Sequence, residues 1–153
     1  MANAKFQIKG VSESPARIKV KARHFDMIVD EPQNLGGDDR GPNPVEYVLA
    51  ALAGCLNVVG FLVAKEMDFE IRSFEVDIGG ELNPAKFMGK SDESRAGYES
   101  IKATMKVDTD ADEETLKEWV RVVEERCPVS DNLSNATPLS IDYRSRSLSY
   151  ERT

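Results

Sequence analysis

The sequence predicts an α+β fold in a single domain, and three observations support this. Segments in which apolar and polar residues alternate, as in half-buried strands, occur early, in the middle and late in the chain. Two longer segments, 43–67 and 110–127, have the capping residues and composition of helices. Strands and helices therefore follow one another in a mixed order. With 153 residues the chain can bury one core, so we expect one domain over 1–153.

Six segments carry the strand pattern, three of them before the first helix. The clearest alternation is that of Ile18, Val20 and Ala22 with basic residues. A Gly- and Pro-rich turn at 33–44 and a charged loop at 83–100 separate the elements. In chain order, the predicted strands are 5–11, 16–23, 25–32, 69–82, 98–108 and 139–148.

The first predicted helix is the most informative segment. Asn43 is a good N-cap, Pro44 suits the first helical position and Glu46 lies where a capping-box acid is found. No charged residue occurs from Tyr47 to Ala64, and large apolar residues point in every direction around the helix axis. A helix of this kind requires burial on all sides.

One chain of this size has little with which to cover such a helix. A sheet covers one side, and exposing the other large side chains would cost about 1.5–3 kcal/mol each. We therefore expect an obligate two-fold homodimer with this helix at its centre. The alternative is a monomer that closes its own sheets around the helix.

The second predicted helix is amphipathic. Asp110 is the expected N-cap, Glu113 follows three residues later, and Pro128 is expected to end the helix directly after Cys127. One apolar stripe, which faces the core, contains Leu116, Val120, Val123 and Cys127, with Trp119 beside them.

Composition excludes several classes of protein. The net charge of −7 argues against a nucleic-acid surface. A membrane span is opposed by Asn57 and by two glycines within the apolar segment, which is barely long enough to cross a bilayer. No secretory signal is visible and two cysteines are too few for a disulfide scaffold, so we expect a cytoplasmic protein with free thiols.

The two cysteines carry the chemistry that the residues suggest. Buried free cysteines are often only small apolar residues. A reactive Cys55 needs a nearby cation, because it lies too far along its helix for the helix dipole to help. The N-terminal candidates are Arg17, Arg23 and Arg40, among which the sequence does not choose. His24, the single histidine, could pair with a thiol, but without CxxC spacing we expect no metal site.

Two separated motifs resemble one family. The segments "GPNPVEYVLAALAGCL" and "RCPVSDNLSN" resemble the OsmC/Ohr family of thiol-dependent peroxidases. The resemblance implies an intertwined dimer with antiparallel-rich sheets packed around two central helices. It also implies that Cys55 attacks an organic hydroperoxide and becomes a sulfenic acid, which Cys127 converts to a disulfide. An external dithiol would then restore both thiols, and neither a metal nor an organic cofactor is implied.

The sequence departs from the family pattern around the activating charges. Family members carry an acid ten residues before the cysteine, where this chain has Val45, and Glu46 comes one residue later. At about 100° per residue, Glu46 lies about 180° from Cys55 around the helix. Glu46 is therefore either a catalytic partner of an arginine or only a helix cap, and Arg23 is our candidate for that arginine. This departure suggests a less characterised branch of the family.

A second function is compatible with the same residues. The dimer could bind a small hydrophobic ligand, the thiols being incidental. In either case we expect an apolar pocket around Cys55 and the second copy of the chain. For an enzyme, such a pocket would favour bulky organic peroxides over hydrogen peroxide.

Overall fold

Two antiparallel sheets and three α-helices make up the described part of the protein, which confirms the predicted α+β class. The structure is a computed structural model that describes residues 1–145. The strands are β1 (Lys9–Ser12), β2 (Ile18–Ala22), β3 (Phe25–Val29), β4 (Ile71–Glu81) and β5 (Ser100–Thr109). The helices are α1 (Pro44–Glu66), α2 (Glu113–Arg126) and α3 (Pro128–Ser134), and a short 3-10 turn spans Gln33–Leu35.

The core lies between the β4–β5 sheet, α1 and α2. β4 and β5 form a long antiparallel hairpin whose apolar residues alternate towards the helices, as the sequence predicts. Trp119 of α2 is 1% exposed, and its indole N–H donates to the carbonyl of Gly60 in α1 over 2.8 Å. The glycine permits this approach, because a Cβ at residue 60 would lie 3.2 Å from the indole ring. This contact ties α1 to α2 at the level of the core.

The N-terminal sheet is almost separate from this core. Its strands pair antiparallel in the order β1-β2-β3 and make hardly any contact with the helices or the other sheet. One link is the Tyr47 hydroxyl of α1, which donates to the carbonyl of Ile28 over 2.7 Å. Phe6, Ile8 and Val11 are exposed. Within residues 1–145, the sheet therefore lacks the second layer that a half-apolar sheet requires.

Helix α1 is covered on only part of its circumference. Leu52, Leu56 and Val63 are buried against β4, α2 and α3, whereas Val58 is 66% exposed and Leu62 lies on the same open side. By length and composition α1 also meets the criteria for a membrane span. Core helices of globular domains meet the same criteria.

Three predicted details are wrong. The N-cap of α2 is Asp112 rather than Asp110, because the Asp112 carboxylate accepts the N–H of Thr115 over 2.8 Å. Pro128 follows the end of α2, but it also begins a further helix that was not predicted. No strand occurs within 139–145 of the predicted closing strand, and 146–148 lie outside the described residues. In the described part of the chain, Leu139, Ile141 and Tyr143 are exposed, so their alternating pattern has no packing that would hold it in a sheet.

Candidate functional site

The two cysteines, 72 residues apart in sequence, meet in space. The Sγ atoms of Cys55 and Cys127 are 2.8 Å apart, within hydrogen-bond distance. Both are free thiols. Cys55 comes from the middle of α1 and is half-buried, whereas Cys127 comes from the junction of α2 and α3 and is 0% exposed. A disulfide between them would require only a small approach, since an S–S bond is about 2.05 Å long.

The break between α2 and α3 fixes Cys127. Its extended backbone makes it the N-cap of α3, with Pro128 in the first helical position. The backbone N–H of Ser130 donates to the Cys127 Sγ over 3.3 Å. The Cys-Pro pair predicts the end of α2, and it does not by itself predict α3. Proline also favours the first position of a new helix, which makes the preceding cysteine a capping residue.

The two thiols have opposite pKa shifts. Burial, and then the hydrogen bond with Cys127, raise the pKa of Cys55 above its ordinary value of 9.0. Burial also raises the pKa of Cys127, but hydrogen bonds from Cys55 and from the backbone at Ser130 and Val129 outweigh it, so that this pKa is lowered. Within one chain the buried Cys127 is therefore the more readily ionised sulfur of the pair.

The three candidate arginines lie on the N-terminal sheet and its following loop. Carboxylates of that region hold Arg17, and Arg40 lies in the loop before α1. Arg23 lies in the β2–β3 turn, where its guanidinium carbon is 5.1 Å from the centre of the Phe25 ring. Among residues 1–145, no cation contributes to the shifted pKa of Cys55. A single chain does not bring these arginines to the thiol pair.

Glu46 caps its own helix, as the capping interpretation predicts. The Asn43 N–H donates to the Glu46 carboxylate over 2.8 Å, and the Glu46 N–H donates to Asn43 Oδ1 over 2.9 Å. This reciprocal pair is a complete capping box. Burial, and then the nearby Glu46 charge, raise the pKa of Tyr98. The carboxylate thus faces the helix start and Tyr98, and its predicted catalytic role stays a prediction.

A cavity of about 600 Å³ lies beside neighbours of the two cysteines, although neither cysteine lines it. Its lining includes Leu52 and Leu56, which flank Cys55 on α1, and Ser130, whose N–H contacts Cys127. Most of the wall is aliphatic. The loop between β4 and β5 contributes Arg95 and Tyr98, which are not among the site residues predicted from the sequence. Only the folding of that loop onto α1 brings these two residues to the site, so the local sequence carried no signal for them.

The described part of the chain offers no ready metal site. Within residues 1–145, no group of three or more His, Cys, Asp or Glu side chains converges. His24 lies in the β2–β3 turn, where its ring is 3.9 Å from that of Phe25. The structure does not place it with the thiols.

A buried acid orders the loop before α1. Asp30 is 1% exposed, and its carboxylate accepts backbone N–H groups of Glu31, Asp38 and Arg40 over 2.9, 3.3 and 3.2 Å. Burial raises its pKa, but these bonds and the Arg17 guanidinium outweigh burial, so that the pKa of Asp30 lies below its ordinary value. The loop that leads into the cysteine helix is thus held by one carboxylate.

Comparison with known proteins identifies the family. The profile of the family described as OsmC-like protein matches residues 36–142. A comparison with curated sequences gives no significant match.

Solved structures share the fold. An OsmC-like protein from Mycoplasma pneumoniae is 19% identical with a TM-score of 0.75, and the match covers 87% of this chain and 89% of that one. An organic hydroperoxide resistance protein OsmC from Legionella pneumophila is 16% identical, with a TM-score of 0.62 and 87% and 91% covered. An organic hydroperoxide resistance protein from Elizabethkingia anophelis is 17% identical, with a TM-score of 0.56 and 86% and 89% covered. Because the profile spans most of the chain and the fold agrees, the protein belongs to the OsmC-like family.

Proposed function

We propose that the protein reduces organic hydroperoxides with Cys55 and Cys127. The observation that carries this proposal is the 2.8 Å separation of two free thiols beside an apolar cavity. Two structures of the same fold are named as organic hydroperoxide resistance proteins, which supports the same chemistry here.

The proposed roles follow from exposure and ionisation. Cys55 is the sulfur that a substrate can reach, because Cys127 is fully buried. The Cys127 thiolate accepts the Cys55 proton through their hydrogen bond, which leaves Cys55 as the nucleophile. Cys55 attacks the hydroperoxide ROOH, the O–O bond breaks, Cys55 becomes a sulfenic acid and ROH leaves after protonation.

The second step closes the disulfide. The Cys127 sulfur attacks the sulfenic acid of Cys55, an S–S bond forms and the oxygen leaves as water. The sum is ROOH plus two thiols to a disulfide, ROH and water. A dithiol reductant then returns both cysteines to thiols by exchange, so the cycle needs no metal or organic cofactor.

The cavity indicates which peroxides are suitable. A volume of about 600 Å³ with a largely aliphatic wall suits a bulky organic hydroperoxide better than hydrogen peroxide. We expect this activity in the cytoplasm, where reductants keep both thiols free between turnovers.

We also propose that the working form is a homodimer. The open side of α1, the uncovered N-terminal sheet and the exposed alternating Leu139, Ile141 and Tyr143 are the surfaces that a second copy would cover. Among residues 1–145, no cation contributes to the pKa of Cys55. In the dimer, we propose that an arginine of the second copy's N-terminal region supplies the positive charge that stabilises the Cys55 thiolate. Arg23 is the first candidate.

The test is a count of free thiols after exposure to cumene hydroperoxide. The expected result is the loss of two thiols per chain in the wild type and none in Cys55→Ser. Cys127→Ser should lose one thiol and hold a sulfenic acid that dimedone traps. Unchanged thiols in the wild type would contradict the proposal.

A binding protein for a small hydrophobic ligand is the second candidate. One observation favours it, namely that neither sulfur lines the cavity, which Leu52 and Leu56 line instead. The thiol count separates the two functions, because a binder with incidental thiols keeps both of them in the presence of hydroperoxide.

A further inference from the structure

The cavity beside the thiol pair contains one arginine. Arg95 reaches it from the loop between β4 and β5. The Tyr98 hydroxyl donates to the carbonyl of Val45 over 2.9 Å and so fastens this loop to the start of α1. The Arg95 side chain folds back over Gly97, since a Cβ there would lie 3.7 Å from Arg95 Nη2. The guanidinium is therefore carried by a loop that is tied to the cysteine helix.

The charge of Arg95 is not neutralised by an ion pair. In the described chain, no carboxylate lies within 4.0 Å of its guanidinium. Three other arginines, by contrast, are held by acids: Arg72 by Asp108, Arg126 by Glu66, and Arg121 by two glutamates of α2. Arg95 thus presents a planar fork of donors that is suited to a carboxylate.

The rest of the cavity decides what can carry that carboxylate. The opposite wall is aliphatic, with Leu52 and Leu56 on α1 and Met105 on β5. Glu99 and Glu124 also line the cavity and would repel an anion placed away from Arg95. A ligand with one carboxylate on an aliphatic chain suits both the arginine and the apolar wall of the cavity. Its carboxylate would lie at Arg95, and its chain would extend along α1 towards Leu56, the neighbour of Cys55.

We propose that Arg95 is a specificity-determining residue that binds the carboxylate of an aliphatic ligand in this cavity. Its identification as a substrate, an aliphatic hydroperoxide bearing a carboxylate, rests on the proposed peroxidase function. The binding of the carboxylate does not depend on that function, since an unreactive fatty acid also has a carboxylate and an aliphatic chain. Arg95 would bind the end of the molecule away from the reacting oxygens.

Unreactive probes test the binding step. Isothermal titration of decanoate and 1-decanol compares the same chain with and without the carboxylate. The wild type should bind decanoate more tightly, and Arg95→Gln should weaken decanoate binding about tenfold, which is the loss expected for one charge-assisted pair. The affinity for 1-decanol should not change. Arg121→Gln, which removes an exposed arginine of α2 that is paired with acids, is the matched control.

Three outcomes would overturn the inference: equal affinity for both probes, no binding of either, or an equal loss of both in Arg95→Gln. Arg95→Lys refines the test, because it keeps the charge and removes the fork. The decanoate affinity of Arg95→Lys should lie between those of the wild type and Arg95→Gln.

Kinetics separate this inference from the proposed function. If the enzyme turns over, Arg95→Gln should raise KM about tenfold for a carboxylate-bearing aliphatic hydroperoxide and leave KM for neutral cumene hydroperoxide unchanged. If Arg95→Gln turns over both hydroperoxides with the KM values of the wild type, the inference is overturned and the peroxidase remains intact. A preserved decanoate preference without turnover would contradict only the peroxidase.

Discussion

At the scale of single residues, the position of one proton decides how the thiol pair works. Cys127, whose pKa is lowered, is buried, whereas Cys55, whose pKa is raised, is the more accessible sulfur. If each thiol is considered alone, accessibility and acidity are on different sulfurs, whereas a nucleophile needs both. They agree if Cys127 acts first as the base for Cys55 and then as the resolving sulfur, because one hydrogen bond connects both steps.

Replacing the proposed base tests this division of labour. In Cys127→Ser, sulfenic acid should form on Cys55 about a hundredfold more slowly at pH 7, since a positioned base is lost. The rate should rise steeply as the pH approaches 9.0 and above, because the pKa of Cys55 is raised. Dimedone trapping followed over pH measures this. An unchanged rate would show that Cys127 is not the base that takes the proton of Cys55.

Asp30 provides a pH test of the loop before α1. Its pKa is lowered in the folded chain, so its contribution to stability is complete above its ordinary value of 3.8 and is lost as the pH falls through the folded-state pKa. Asp30→Asn should therefore be less stable than the wild type at pH 7, and the difference should shrink below pH 3.8. Urea midpoints at several pH values measure it. A difference that is constant with pH would contradict the assignment.

At the scale of elements, substitutions at the start of α1 distinguish a capping role of Glu46 from a catalytic role. Asn43→Ala should destabilise the protein by about 1 kcal/mol, since it removes the acceptor of the capping box. Glu46→Gln keeps an oxygen for the Asn43 N–H and removes only the charge. It should change stability little and leave peroxidase turnover within about twofold of the wild type.

A larger loss of turnover in Glu46→Gln, with unchanged thermal stability, would support the catalytic interpretation of this residue. Asn43→Ala is the control, because it weakens the same helix start without altering the carboxylate. Thermal unfolding and steady-state rates on the two variants therefore distinguish the two roles.

The elements show where sequence reasoning succeeds and where it stops. The start of α1, the β4–β5 hairpin and the core stripe of α2, apart from the exposed Val120, were predicted, because caps and periodicity are local signals. The new helix after Cys127 was missed, since the same proline both ends one helix and begins another. Arg95 could not be predicted at all, because a long loop has to fold back before it reaches the cavity. The meeting of Cys55 and Cys127 was expected only through the family resemblance.

At the scale of the whole molecule, uncovered apolar surface is the dominant feature. The exposed side of α1 and the N-terminal sheet have no partner within the described chain. Leu139, Ile141 and Tyr143 are exposed in an alternating pattern without a strand to pair with. A water-facing surface of this kind is typical of subunits rather than of finished monomers.

A charge on the open side of α1 tests the proposed dimer. Val58→Asp should give a monomer or an aggregate at micromolar concentration, where we expect the wild type to be a dimer, because a carboxylate in the proposed apolar interface would be buried and unpaired. Light scattering coupled to size exclusion measures the mass. Lys117→Asp, an exposed change on α2, should remain dimeric. A wild type that is monomeric would contradict the dimer.

The most direct test of the central claim is the intact mass of the wild type after one equivalent of cumene hydroperoxide, measured without reductant. The account predicts a loss of about 2 Da per chain, reversed by a dithiol, with Cys55 and Cys127 joined in one peptide pair. An unchanged mass, or a gain of oxygen without a disulfide between these two residues, would contradict it.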